Sequence, residues 1–230
     1  MNNAVNCKDL KLGILAGGNL GFECIKYLYE NYKIEFVFCD SKSKDIIELS
    51  LKYEIPLFTG NPRTKDYKKL INNTYIDVLL SINYLFLIDL ELINHPRRYA
   101  INIHGSLLPK YRGRTPHVWA VINNEEETGI TAHLIDSGCD TGPIIKQVRI
   151  PIDPNETGAD ILKKYELKYP DFVNSILFDI QTENVNPIPQ ESNTGSFFGK
   201  RTPEDGKINW NWQKERIHNW IRAQAHPYPG

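Results

Sequence analysis

Short apolar segments alternate with segments of helical periodicity over the first 104 residues, and this alternation restricts the fold more than any other feature of the sequence. Strand-like apolar segments occupy positions 10–15, 34–39, 55–58, 76–82 and 100–104. Between the first two of them, Leu20, Cys24 and Leu28 recur at the spacing of one helix face. Strands that alternate with helices form a parallel sheet that crossover helices cover on both faces. The sequence therefore predicts an α/β, Rossmann-like doubly wound fold.

The sequence after residue 104 predicts a mixed sheet and a small carboxy-terminal extension. A helix is expected over 115–122, and two antiparallel strands over 129–136 and 144–152 are expected to extend the sheet. A long amphipathic helical segment follows over 156–182, with an interruption expected at Pro170 because proline lacks the backbone donor. The composition changes after residues 187–189, where aromatic and basic residues become frequent. We therefore interpret residues 1–185 as the main domain and residues 186–230 as an extension of strands plus a helix.

Composition and charge exclude several classes of protein. The chain of 230 residues is 41% apolar and carries 27 basic against 28 acidic residues, a net charge of −1, so no overall charge attracts nucleic acid or an anionic membrane. No apolar run approaches the roughly 20 residues that span a bilayer, and residues 1–12 lack the apolar core of a signal peptide. The cysteines, Cys7, Cys24, Cys39 and Cys139, show no metal-ligand spacing. The sequence predicts a cytoplasmic protein with reduced thiols and no metal site.

Asn102 and His104 form the first part of a predicted catalytic site. They lie two residues apart on one strand, so their side chains project from the same face. A single histidine near an apolar strand is more often structural than catalytic. Here, however, the pair falls at the end of the strand, next to the Gly105-Ser106 turn. The position favours a functional role, since ligands of doubly wound sheets bind beyond the carboxyl ends of the strands.

Asp140 supplies the carboxylate of the predicted site. It lies 36 residues after His104, in a Gly-Cys-Asp-Thr-Gly turn. Gly138 and Gly142 on either side are expected to permit positive φ angles and a close approach to a ligand. If the turn returns to Asn102 and His104, the site has an oxyanion donor, a proton acceptor and an orienting carboxylate. These groups are the ones needed to transfer an acyl group to an amine.

Two stretches of the sequence resemble a known enzyme superfamily. The run N-I-H-G-S-L-L-P-K-Y-R-G, followed by E-E-T-G-I-T-A-H-x-I-D-x-G-x-D-T-G-P-I, resembles the formyltransferases that use 10-formyltetrahydrofolate. The tail segments R-T-P-E-D-G-K-I-N-W and I-R-A-Q-A-H-P-Y-P-G are similar to the sugar N-formyltransferase branch. The resemblance implies the formyltransferase fold and transfer of a formyl group from 10-formyltetrahydrofolate to a nucleotide-linked amino sugar. The acceptor most often used in this branch is dTDP-4-amino-4,6-dideoxyglucose, on the way to O-antigen or another surface glycan.

The resemblance leaves alternatives open and assigns further residues. The acceptor could instead be the 3-amino isomer or another amine, and an inactive homologue that binds folate or a nucleotide sugar would share the fold. Catalysis is expected from Asn102, His104 and Asp140. The residues expected to bind the folate co-substrate are Tyr84, Leu85, Phe86, Ile135 and Asp136. Those expected near the nucleotide sugar are Gly105, Ser106, Arg112, Arg114, Lys200, Arg201 and Trp210.

The remaining predictions concern residues without a catalytic role, and partners. Cations are expected to meet the pyrophosphate and Trp210 to stack on the base, although such side chains more often form surface or core. A structural role is expected for His133 and no catalytic role for His95, His117 or His218. The aromatic tail predicts a homodimer, since its exposed surface would be unfavourable in a monomer.

Overall fold

The computed structural model describes residues 10–191 and 194–228, and the predicted features that fall on residues 1–9 lie outside this part. The strands are β1 Lys11–Ala16, β2 Lys33–Cys39, β3 Leu57–Thr59, β4 Val78–Ile82, β5 Tyr99–His104, β6 Arg112–Gly113, β7 Glu127–Leu134, β8 Ile144–Pro151 and β9 Phe197–Phe198. The α-helices are α1 Gly18–Asn31, α2 Lys44–Lys52, α3 Lys68–Ile71, α4 Leu90–Ile93, α5 Pro116–Ile122, α6 Gly158–Gln181 and α7 Lys214–Ala223.

The main sheet is mixed and doubly wound. Its strand order is β3-β2-β1-β4-β5-β7-β8, in which the first five strands are parallel and β7 and β8 are antiparallel to their neighbours. The chain runs outward from β1 to β3 and then outward again from β4, so the order reverses between β1 and β4. The predicted fold class is confirmed, and β5 lies next to the reversal point with its carboxyl end at the edge where ligands bind in such sheets.

The apolar core lies on both faces of the sheet. Successive side chains of β1 divide between the faces: Ile14 belongs to the larger cluster with α1 and α6, and Leu15 to the smaller cluster with Phe38 and Leu92. The side chains of these four residues, Ile14, Leu15, Phe38 and Leu92, are fully buried. Burying an aliphatic side chain of this size contributes about 1.5–3 kcal/mol. The near-continuous apolar sequence of the central strands is explained by this two-sided burial.

Helix α6 is continuous over Gly158–Gln181, so the interruption predicted at Pro170 is wrong. The helix begins with a capping box in which Thr157 and Asp160 satisfy each other's backbone donors. Tyr165, Tyr169 and Val173 lie on either side of the proline and are buried in the larger cluster. The packing of this face on the sheet outweighs the hydrogen bond that Pro170 cannot donate.

The carboxy-terminal residues, which the sequence analysis interprets as an extension, contact earlier parts of the chain at three places. The backbone of Ile188 pairs with that of Ile144 at the start of β8, and β9 pairs with β6. Helix α7 lies mainly against α5. The Cys24 and Cys39 thiols are free and buried, and the Cys139 thiol is free and exposed, whereas Cys7 lies outside the described residues. None of the helices within residues 10–191 and 194–228 combines the length and the apolar composition that a membrane span requires.

Candidate active site

Asn102, His104 and Asp140 lie together at the carboxyl end of β5, as the sequence predicts. The Asn102 amide nitrogen donates to Asp140 Oδ1 at 3.2 Å, and His104 Nδ1 lies 3.6 Å from the same oxygen. Asn102 is half-buried and His104 is buried. The turn that follows β7 therefore brings the carboxylate back to the strand that carries the amide and the imidazole.

The turn around Asp140 differs from its expected geometry. Asp140 itself has a φ of 55°, whereas Gly138 and Gly142 have no positive φ, so the positive φ predicted at these glycines is wrong. Glycine is needed at 142 for space, because a Cβ there would overlap the Leu134 carbonyl oxygen. Asparagine and aspartate tolerate the left-handed region better than other residues with side chains. The backbone N–H of Gly113 then donates to Asp140 Oδ2 at 2.9 Å and holds the carboxylate.

The hydrogen bonds of His104 determine which ring nitrogen is free. Its Nε2 lies 2.8 Å from the carbonyl oxygen of Tyr111, and a carbonyl can only accept, so Nε2 carries a hydrogen. In the neutral ring, Nδ1 is then the basic nitrogen, and it faces Asp140. Burial lowers the pKa of His104 below its usual value, although Asp140 and the bond to Tyr111 oppose that shift. A neutral imidazole at pH 7 is the form that accepts a proton.

Asp140 is held as a carboxylate. Burial raises the pKa of Asp140, but the neighbouring His133 and His104 rings and the Gly113 N–H together outweigh that effect. The resulting pKa of Asp140 lies well below its usual range. An ionised Asp140 next to Nδ1 favours the protonated form of His104 once a proton arrives.

His133 is a member of this cluster that the sequence analysis did not recognise. It pairs directly with Asn102 in the antiparallel β5–β7 register. Its Nε2 lies 3.1 Å from the Asn102 amide nitrogen and 3.5 Å from Asp140 Oδ1. The signal that could have found it is this register, which places residue 133 opposite residue 102 and depends on contacts distant in sequence.

The residues expected to bind the folate lie on both sides of the cluster. Tyr84 and Ile135 are both half-buried against the smaller core cluster, next to the ends of β4 and β7. Arg114 donates to the Leu85 carbonyl oxygen at 2.7 Å and so ties the loop after β4 to the loop that carries Gly113. Phe86 meets the Tyr84 ring edge to face. Asp136 is exposed, and its carboxylate accepts from Thr141 within the Asp140 turn.

Some of the residues expected near the nucleotide sugar are buried, and the others are half-buried or exposed. Gly105 and Ser106 are buried: the Gly105 oxygen accepts from Tyr165, and the Ser106 hydroxyl donates to the Lys110 oxygen at 2.7 Å. Arg201 is also buried; its guanidinium lies over the Trp119 and Trp220 rings and donates to Gln224. The role of Gly105, Ser106 and Arg201 in binding the substrate stays a prediction, which their contacts within the protein do not support.

The other expected sugar-nucleotide residues are accessible or lie near the carboxylate. Lys200 and Arg114 are exposed, and Trp210 is 76% exposed. Arg112 is half-buried and donates to Gln190, whose own amide donates to the Asp140 carbonyl oxygen at 2.9 Å. The structure thus brings Arg112 to the catalytic turn through Gln190. Among the described residues, no group of three or more His, Cys, Asp and Glu side chains is arranged to hold a metal ion.

Family models match both parts of the chain. Residues 28–172 match the model of formyl transferases, and residues 200–230 match the model of the formyl transferase C-terminal domain. The protein belongs to the formyl transferase family. The superfamily that the motifs around Asn102 and Asp140 indicated is thereby confirmed.

Three relatives illustrate the range of similarity. The chain is 34% identical over 224 residues to the bifunctional polymyxin resistance protein ArnA of Wigglesworthia glossinidia brevipalpis. The matched region is 92% of this chain and 32% of ArnA, so the chain spans about a third of the length of this relative. WlaRD, a sugar 3N-formyl transferase crystallised in the presence of dTDP and 5-N-formyl-THF, is 27% identical with a TM-score of 0.78, covering 93% of this chain and 78% of WlaRD. The N-formyltransferase of Helicobacter canadensis, in complex with folinic acid and dTDP-3-aminofucose, is 26% identical with a TM-score of 0.71, covering 93% and 80%.

The geometry suits the chemistry of a formyl transferase. Acyl transfer to an amine needs a group that takes a proton from the nucleophile and a donor for the carbonyl oxygen. His104 Nδ1 and the Asn102 amide offer these two functions on one face of β5, with Asp140 between them. The arrangement thus contains the groups that the reaction requires.

Proposed function

We propose that the protein transfers the formyl group of 10-formyltetrahydrofolate to the amine of a nucleotide-linked amino sugar. The observation that carries the proposal is the grouping of Asn102, His104 and Asp140 at the carboxyl end of β5. Membership of the formyl transferase family supports it, and so do the reduced folates and dTDP compounds crystallised with WlaRD and the Helicobacter canadensis enzyme.

The proposed mechanism is direct transfer without a covalent enzyme intermediate. The folate supplies an activated formyl group. The sugar amine forms the new C–N bond, the bond between the formyl carbon and N10 breaks, and N10 takes up a proton. His104 Nδ1 accepts the proton that the amine loses, and Asp140 stabilises the resulting imidazolium. Asn102 donates an N–H to the formyl oxygen as that oxygen gains negative charge, a contribution of about 3 kcal/mol where such donors have been removed.

The loop after β4 suits a flat, amphipathic co-substrate. Leu85 is 46% exposed and Leu87 is 70% exposed, so an apolar surface lies next to the carboxyl ends of β4 and β5. Within the described part of the chain, the buried Tyr84 hydroxyl has no hydrogen-bond partner. We assign the folate to Tyr84, Leu85 and Phe86 on one side and to Ile135 and Asp136 on the other.

The acceptor that we propose is dTDP-4-amino-4,6-dideoxyglucose, destined for O-antigen or another surface glycan. The exposed Arg114 and Lys200 offer charges for a pyrophosphate, and the exposed Trp210 ring offers a stacking surface for the base. The 3-amino isomer is a second candidate, since WlaRD is a sugar 3N-formyl transferase and the Helicobacter canadensis enzyme was crystallised with dTDP-3-aminofucose.

The test is a panel of acceptors with one donor. The purified protein is incubated with 10-formyltetrahydrofolate and with dTDP-linked 4-amino and 3-amino dideoxy sugars or a UDP-linked amino sugar. Tetrahydrofolate release and the mass of the formylated product are followed, with an N-acetylated sugar as the blocked control. We expect product with a 4-amino sugar and at least 10²-fold less turnover in the His104→Asn variant. Folate binding without a product from any amine would support the inactive homologue instead.

A further inference from the structure

His133 is placed to act on Asn102, although its side chain is almost entirely buried. It lies on β7 directly opposite Asn102 on β5 and is 2% exposed. A buried polar ring next to a catalytic amide requires defined hydrogen bonds, because unsatisfied polar groups in such a position are unfavourable. The partners of both ring nitrogens therefore determine what His133 can do.

The backbone fixes the tautomer of His133. Its Nδ1 lies 2.8 Å from the carbonyl oxygen of Leu134, which can only accept, so Nδ1 carries a hydrogen. In the neutral ring Nε2 is then an acceptor, and it lies closer to the Asn102 amide nitrogen, at 3.1 Å, than to Asp140 Oδ1, at 3.5 Å. Asn102 thus donates one hydrogen to His133 and the other to Asp140 Oδ1.

Both hydrogens of the Asn102 amide are held in this arrangement. A flipped amide would place its oxygen 3.2 Å from a carboxylate oxygen and would also face the lone pair of His133, so the assigned orientation is the favoured one. Asp140 cannot turn to take the second hydrogen, because the Gly113 N–H holds its other oxygen at 2.9 Å. His133 is therefore the acceptor that fixes the second hydrogen.

The two acceptors of Asn102 differ in strength. Hydrogen bonds to a charged acceptor are about twice as strong as those between neutral groups. An amide hydrogen on the neutral His133 nitrogen is therefore held weakly, and it gains strength when it turns to an oxygen that has become negative. Such an interaction is stronger in the transition state than in the ground state, which is the condition for raising kcat.

We propose that His133 is a positioning residue for formyl transfer, whose Nε2 lone pair holds one Asn102 hydrogen until the formyl oxygen gains charge. This role rests on the proposed function, since it concerns the same reaction. It goes beyond the Asn102, His104 and Asp140 set by adding a fourth side chain that touches no substrate.

Two substitutions separate the two nitrogens of His133. His133→Gln extends an amide oxygen to the place of Nε2 and keeps an acceptor for Asn102. His133→Asn reaches only the place of Nδ1, so the contact with Leu134 is kept and the contact with Asn102 is lost. His95→Asn is the matched control, because His95 bonds to the Thr74 carbonyl oxygen next to the smaller core cluster.

We expect kcat of His133→Asn to fall about 10²-fold while KM for both substrates changes by no more than about threefold. His133→Gln is expected to stay within about tenfold of the parent, and His95→Asn is expected to match it. Thermal unfolding of each variant shows whether it is folded. The inference is overturned if His133→Asn turns over like the parent, or if folded His133→Gln is no better than His133→Asn.

A second measurement is independent of turnover. Nitrogen-15 NMR of the imidazoles identifies which nitrogen carries the hydrogen, and we expect the Nδ1–H tautomer for neutral His133. An Nε2–H tautomer would remove the acceptor and refute the role even in an inactive protein. If the parent is active and substitution of His133 does not change its turnover, this inference alone is contradicted. A parent that formylates no amine contradicts the proposed function instead.

Discussion

The direction of the His104 ring depends on a backbone carbonyl at a strained position. Tyr111 has a φ of 60°, a region that costs a residue with a side chain about 1–3 kcal/mol. Its N–H donates to Ser196 at 2.9 Å and its hydroxyl donates to Glu125 at 2.7 Å, so both ends of the residue are fixed. The carbonyl then accepts from His104 Nε2. The strain at Tyr111 is thus coupled to the tautomer that leaves Nδ1 basic.

Asp140→Asn tests this charge arrangement. The charge of Asp140 raises the pKa of His104 against the larger effect of burial, so removing it lowers that pKa further. Because the neutral imidazole is the base, the acidic limb of kcat/KM should move to lower pH while the maximal rate falls by about 10²-fold or more. The measurement is a pH profile of kcat/KM with one acceptor, so that the titration of the amine is common to both proteins. A limb that moves to higher pH would contradict the assignment.

At the scale of elements, the sequence predicted what depends on local pattern and missed what depends on contacts distant along the chain. The apolar segment 76–82 predicts β4 because the period and the length of a strand are local properties. The interruption predicted at Pro170 is wrong because the burial of Tyr169 and Val173 keeps α6 continuous, and this burial is a tertiary contact. His133 was missed for the same reason, since its role follows from the pairing of β7 with β5.

Gln190 links the extension to the catalytic turn. Its amide nitrogen donates to the carbonyl oxygens of Asp140 and Gly142 at 2.9 and 2.8 Å, and its oxygen accepts from Arg112. Gln190→Ala should lower the unfolding free energy by about 1–3 kcal/mol, because these groups lose their partner. It should also lower kcat about tenfold through a displaced Asp140. Denaturant unfolding and steady-state kinetics measure the two effects.

The control for Gln190→Ala is a glutamine of the same extension. Gln213 precedes α7, is exposed, and makes no side-chain capping hydrogen bond within the described chain. Gln213→Ala should therefore stay within about 0.5 kcal/mol of the parent and keep its activity. Equal effects of the two substitutions would show that the Gln190 contacts contribute nothing specific.

At the scale of the whole molecule, the extension exposes a large apolar side chain that the contacts within one chain do not explain. Phe197 is 63% exposed on β9, the short strand that pairs with β6 beside Asp140. Large exposed apolar side chains often mark a contact with another chain. We propose that the extension forms a homodimer contact, which would place the second copy next to the catalytic turn.

Sedimentation across a concentration series tests this assembly. We expect the parent to sediment as a dimer and Phe197→Ser to shift it toward monomer, because the loss of a buried aromatic side chain from an interface commonly costs about 2 kcal/mol or more, roughly a 30-fold weaker association. Leu167→Ser is the matched control, since Leu167 is 79% exposed on α6, outside the extension. A parent that remains monomeric at every concentration refutes the dimer, and a Leu167→Ser variant that dissociates instead would move the contact to α6.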